Sequence, residues 1–254
     1  MHYHRTHPSN VRYSSETTSV GMTLEYGEVD VQRARNQHLV LSYLELRRAV
    51  GGLGVLLPVV LPIGVLFLGS DATFQASISD YHGTVMRGVF VGVLFATGVF
   101  LFSYSGHEPV QGMKAYQPSD NFAGNMACMF AIGVALFPVT SDVGAVRVMH
   151  FFFATGLFLT LSYFALHLFT KTDGVMTAMK RTRNKVYRVC GIVMLACIVS
   201  IAIYNWFLQD TIIAKAEPVF WLEAAALWAF GWAWFVKGEG LRRLNDEAKA
   251  SELD

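Results

Sequence analysis

Six long apolar runs, each close to the length of a membrane crossing, constrain this chain more than any other feature. They lie at about 49–69, 85–104, 122–140, 146–169, 187–208 and 218–236. A hydrocarbon core of about 30 Å needs roughly 20 residues of helix. Lipid cannot satisfy a free backbone amide, so a span must be a helix or part of a closed barrel. Barrel strands alternate in polarity over about ten residues, whereas these runs are continuous and about twice as long. The expected fold is therefore all-α, a polytopic membrane protein built as a six-transmembrane-helix bundle. Pro58 and Pro62 predict a kink in the first span. Gly88, Gly92 and Gly98 predict close helix approach in the second.

Composition agrees. Of 254 residues, 53% are hydrophobic and only 15% charged, where a soluble domain is nearer a quarter charged. A formal net charge of +1 argues against a nucleic-acid partner; the partners expected are membrane lipids and a lipid-like substrate. Cys128, Cys190 and Cys197 all sit in apolar runs, so they read as small packing residues, not as a disulfide framework or a metal site. The first twenty residues lack the basic start, apolar core and cleavage site of a signal peptide. The expected organisation is a disordered terminus over 1–23, an amphipathic interfacial helix over 24–48, the six-helix domain over 49–236 and a charged tail over 237–254.

Charge asymmetry orients the bundle. Arg47 and Arg48 precede the first span, Lys180, Arg181, Arg183 and Lys185 fall between spans four and five, and Lys237, Arg242 and Arg243 follow span six. With six spans, all of these lie on one side, which predicts that both termini are cytoplasmic. Trp206 and Trp221 then lie near the outer ends and Trp234 near the inner end, as interfacial aromatics do, while Trp228 and Trp232 read as packing residues.

Ionisable residues inside a membrane are costly and face the bundle interior. The stretch SISDYHGTVMRG sets Ser77, Ser79, Asp80, His82 and Arg87 at the outer start of span two. His150 lies about one turn inside span four and Glu223 about one to two turns inside span six. The inferred topology puts Asp80, His82, Arg87, His150 and Glu223 at one depth. His82, His150 and Glu223 form a chemically sensible metal set, with zinc the expected ion and a fourth position left for water. Without a metal, a histidine can serve as base, Asp80 can orient it, and Arg87 can hold an anionic group. Each residue also has an ordinary reading: His82 as an interfacial histidine in a polar loop, His150 as a hydrogen-bonding histidine between helices, Arg87 as snorkelling outward or pairing with Asp80, Glu223 as a buried carboxylate with a structural partner. A second polar group, with Tyr104, His107, Glu108, Asp120, Asn121, Asn125 and His167, lies toward the inner face. Asp120 is expected to cap the third helix, and Asn125 to bond across helices.

The stretches ISDYHGTVMRGVFVGVLFATGVFLFSY, DNFAGNMACMFAIGVALFP, HFFFATGLFLTLSYFALHLFTK and PVFWLEAAALWAFGWAWFVKG resemble a group of bacterial multispan membrane proteins. That resemblance implies a six-helix domain in a bacterial cytoplasmic (inner) membrane. There is also a similarity to the superfamily of alkaline ceramidases and adiponectin receptors, seven-helix membrane hydrolases with a Ser, Asp and three-His pattern around zinc. Ser77 or Ser79, Asp80, His82 and His150 partly match it. The chain departs from that pattern in having six spans and Glu223 in place of paired histidines late in the chain. The functional expectation is an intramembrane, metal-dependent hydrolase or transferase acting on a lipid-like substrate at the outer side. The alternatives are a small-molecule transporter and a non-enzymatic receptor or accessory protein.

Overall fold

The computed structural model describes residues 16–69, 73–104, 120–171, 176–209 and 211–238. Residues Met1–Tyr43 and Leu44–Asp254 form two compact units. In the first, the described residues are helical from Glu16 onward. The second holds the bundle. Helix α1 (Glu16–Leu68) runs without a break, so neither 23/24 nor 48/49 is marked by a change of structure. Residues 1–15 of the expected disordered terminus, and 239–254 of the expected tail, lie outside the described residues.

After α1 come a five-residue 3-10 turn (Ser79–Gly83), α2 (Arg87–Phe102), α3 (Asp120–Leu136), α4 (Gly144–Tyr163), α5 (Ala178–Ile203), a second 3-10 turn (Ile212–Ala216) and α6 (Pro218–Lys237). Helices α4 and α5 each end in a π-helical turn, Phe164–Leu168 and Tyr204–Leu208. Every regular element among the described residues is helical. Among the described residues, four segments are long and apolar enough to cross a membrane: Ser42–Leu68, Gly144–Leu168, Ala178–Leu208 and Pro218–Lys237. Helix α2 is apolar but shorter, with 16 residues, or about 24 Å at ~1.5 Å per residue. The protein is thus an all-α, multi-span membrane protein. Large apolar side chains such as Leu66, Phe67, Val99, Phe102, Ile192 and Val199 are exposed on its surface, as lipid contact requires.

Successive helices pack side by side from α2 through α6, and the bundle half of α1 packs on α6 through a glycine contact. A Cβ on Gly51 would stand 2.7 Å from the Gly231 carbonyl oxygen, and one on Gly231 would stand 2.6 Å from that of Gly51. The two backbones therefore touch directly. Helices α3 and α4 interlock differently: the Phe153 ring lies over Gly133, and the Phe130 ring over Gly156. Gly88 and Gly92 meet nothing within 4 Å, so of the three glycines expected to bring helices together in α2 only Gly98, against Cys128 and Ala131, does so. Cys190 and Cys197 are buried and Cys128 is half-buried, all as free thiols.

The tryptophans of α6 correct the sequence reading. Trp234 is only 2% exposed and packs among Tyr104, Phe164 and Phe169, whereas Trp228 and Trp232 are exposed. Phe220, Ala224 and Gly231 lie on the buried side of α6 with Trp234, while Trp228 and Trp232, four residues apart, share an exposed face about 100° round the helix. Trp228 still finds a partner there, donating its indole N–H to the Val55 carbonyl at 3.1 Å.

Candidate functional site

The expected outer residues cluster where the segment between α1 and α2 docks on the start of α6. Phe220 N–H donates to the Ala76 carbonyl at 3.0 Å, and Phe74 and Tyr81 pack on the Phe220 ring. Glu223, one turn further along, anchors the same segment. Its Oε2 accepts from the backbone N–H of Ile78 at 2.6 Å and of Ser79 at 3.4 Å, and its Oε1 accepts from Ser79 Oγ at 3.5 Å. A carboxylate in an apolar helix is tolerable only when its lone pairs are met, and the unpaired amides of a 3-10 start are good donors. Ser77 Oγ in turn accepts from Asp80 N–H at 3.0 Å. No described residue bonds the Asp80 carboxylate.

Beside this turn lies a cavity of about 1000 Å³, at the upper end of the range for small-molecule sites. Ser77, Ser79, Asp80, His150 and Glu223 line its polar part, and Phe151, Phe158, Ile198 and Ile201 contribute apolar wall from α4 and α5. His150 is 2% exposed, and its Nδ1 lies 2.7 Å from the Phe137 carbonyl oxygen. A carbonyl only accepts, so Nδ1 carries the proton, and Nε2 is left with a lone pair.

His82 and Arg87 stand apart from this group. His82 Nε2 lies 3.3 Å from the Ala135 carbonyl, so it is the protonated nitrogen. Its Nδ1 accepts from Arg87 Nε at 3.3 Å, and the same Nε donates to the His82 carbonyl at 3.0 Å. Both ring nitrogens are therefore engaged, and neither His82 nor Arg87 lines the cavity. Burial, and then the Arg87 charge, lower the His82 pKa from 6.5, which favours the neutral ring seen in this bonding pattern. Arg87 pairs with His82, and not with Asp80 or Glu223. Among the described residues, no three His, Cys, Asp or Glu side chains are placed to hold a metal ion. Of the expected zinc set, only His150 and Glu223 share the cavity, because the His82 ring turns toward α3.

The sequence reading missed the far wall. Thr155, Tyr204, Asn205, Gln209 and Glu217 add polar groups to the cavity. Polar residues at the outer end of span five were the available signal, at the same depth as His150. Glu217 also has φ 47°, a left-handed conformation rare for a residue with a Cβ, and it precedes Pro218 at the start of α6.

At the opposite end of the bundle, expected to face inward, Asp120 is buried and pairs with Lys171 at 2.9 Å. Asn121 and Asn125 are exposed, so Asn125 does not point into the bundle as expected. His167 is exposed and stacks on Tyr163. His107 and Glu108 lie outside the described residues.

Comparison with protein-family models, with curated proteins and with solved structures finds no match to this chain.

Proposed function

We propose that the cavity takes up an amphipathic, lipid-like molecule and that the protein hydrolyses it or transfers a group from it. The observation that carries this reading is the division of one cavity into a polar end, with Ser77, Ser79, Asp80, His150 and Glu223, and an apolar wall from α4 and α5. A head group fits the first and a chain the second. His150 Nε2 serves as general base: it takes a proton from water as the water oxygen attacks the substrate's acyl or phosphoryl centre, then returns it to the leaving oxygen. Asp80 supports the imidazolium formed in between. Glu223 acts at one remove, by fixing the turn that carries Ser77, Ser79 and Asp80. Zinc has no role in this reading, because the His82 ring is committed to Ala135 and Arg87.

All six helices cross the membrane in this proposal, α2 and α3 included, with both termini cytoplasmic in a bacterial inner membrane and the cavity at the outer side. The gathering of Arg47, Lys171, Lys180, Arg183 and Lys237 around one pocket supports that orientation. The carrier alternative has less support. Asn125 is exposed, and the buried side chains of Phe164, Met194 and Trp234 fill the bundle.

Lipid turnover tests the proposal. Wild-type protein in liposomes of total bacterial lipid is expected to convert one lipid class, followed by mass spectrometry. His150→Ala should lower that conversion by about 100-fold or more, the usual contribution of a general base. Equal conversion by both proteins, or none by the wild type, would overturn the enzymatic reading.

A further inference from the structure

A second pocket, of about 160 Å³, has a different chemistry. Its charged lining is Arg47 from α1, Lys171 just after α4, Lys180 and Arg183 from the first turns of α5, and Lys237 at the end of α6. Among the described residues no acidic side chain lines it. The Asp120 carboxylate approaches from α3 and reaches Lys171. The lining thus comes from three helices and the segment that follows α4, with a fourth helix supplying the nearby carboxylate.

Two of the cations, Arg47 and Lys237, are held in place by neighbouring groups. The Arg47 guanidinium lies 5.4 Å from the Tyr104 ring centre, and its Nη1 donates to the Lys237 carbonyl at 3.4 Å. Lys237 Nζ lies 5.3 Å from the Phe169 ring centre. Buried Asn184, also in the lining, donates to the Thr170 carbonyl at 3.3 Å. Asp120 meets Lys171 from the side, and the convergence of five cationic side chains on one small, partly desolvated space makes that space attractive to a further anion. At ~30 Å³ per water, the space would hold about five waters, enough for one tetrahedral oxyanion with residual solvent. Guanidinium and ammonium donors converging from several directions suit phosphate oxygens.

We propose that this pocket binds a phosphoryl group, as the head group of an anionic lipid or as free phosphate. The pocket lies at the ends of membrane-spanning segments, opposite the end that carries the larger cavity. Basic pockets between such segments are placed to meet lipid head groups.

The test uses the full-length protein, Lys180→Gln with Arg183→Gln, and the charge-matched control Arg181→Gln with Lys185→Gln. Arg181 and Lys185 are exposed on the same helix and outside the pocket. One arm follows thermal unfolding in inorganic phosphate against chloride at equal ionic strength. The other follows retention of phosphatidylglycerol against phosphatidylcholine from mixed micelles by native mass spectrometry. Stabilisation by phosphate that the pocket variant loses assigns free phosphate. Selective retention of phosphatidylglycerol without a phosphate effect assigns the lipid head group. In either arm the pocket variant should bind about 10- to 30-fold more weakly, at ~1 kcal/mol per basic residue, and the control within about twofold of wild type. If the double variant does not fold, Lys180→Gln alone takes its place. Failure of wild type to bind either probe, or an equal loss in the control, overturns the proposal.

Discussion

Gly231→Leu is expected to leave almost no folded protein. The reason is geometric. A Cβ at position 231 would lie 2.6 Å from the Gly51 carbonyl oxygen, 2.7 Å from Val55 Cγ2 and 3.0 Å from Val55 N. Two of those three atoms belong to backbone, so no change of rotamer relieves the overlap, and α1 and α6 must separate. Within a membrane, helices associate chiefly through close packing and interhelical hydrogen bonds, because lipid tails are as apolar as leucine. Overpacking in a core commonly costs about 1–3 kcal/mol, and a clash of backbone with a branched side chain should exceed that range. The matched control is Gly92→Leu, where an added Cβ meets nothing within 4 Å. Size-exclusion profiles of detergent-extracted protein would check both: a monodisperse peak for Gly92→Leu, and loss of that peak for Gly231→Leu. Wild-type behaviour of Gly231→Leu would show that the α1–α6 contact is wrong.

Replacing Glu223 with Ala should have the next largest effect. It removes the acceptor of the Ile78 and Ser79 amides and of the Ser79 hydroxyl together. Leaving a buried donor unmet costs about 1–3 kcal/mol; the Ile78 amide, bonded at 2.6 Å, carries most of that, and the Ser79 amide and hydroxyl, at 3.4 and 3.5 Å, add little, so a loss of about 2–4 kcal/mol is expected for the group. Glu223→Gln keeps one carbonyl oxygen for the Ile78 amide and should lose roughly half as much. The loss should also be local. Amides 76–83 should exchange faster in Glu223→Ala while the centres of α3 and α5 keep their protection. Unchanged protection at Ile78 and Ser79 would mean that the carboxylate does not hold the turn.

How much of this was legible in the sequence depends on whether depth or direction is at issue. Depth is written in the chain, because a span rises about 1.5 Å per residue from a recognisable end. Hence Asp80, His150 and Glu223 were placed at one level and do line one cavity. Direction around a helix axis is set by neighbours, and a run apolar on all sides carries little record of it. His82 shows the consequence: its level was read from the same stretch, yet its ring turns to Ala135 and away from the cavity. Trp228, Trp232 and Trp234 repeat the lesson within a single helix. So do the glycines, since Gly88 and Gly92 face open space while Gly51 and Gly231 bring two backbones into contact. The partners of Glu223 were hidden for a further reason. They are mainly backbone amides, and no residue type announces a free amide at the start of a 3-10 turn.

The central claim is that the polar and apolar parts of the large cavity accommodate one amphipathic molecule. Photolabelling in bilayers with a phospholipid bearing a diazirine on its acyl chain tests this most directly, using wild type and Ala154→Trp, whose indole would fill space in the cavity wall. Labels concentrated at Phe151–Phe158 and Ile198–Ala202, and lost selectively in Ala154→Trp, are the predicted result. Labels spread evenly over lipid-facing positions such as Val99, Phe102 and Ile192, with the same pattern in Ala154→Trp, would contradict it.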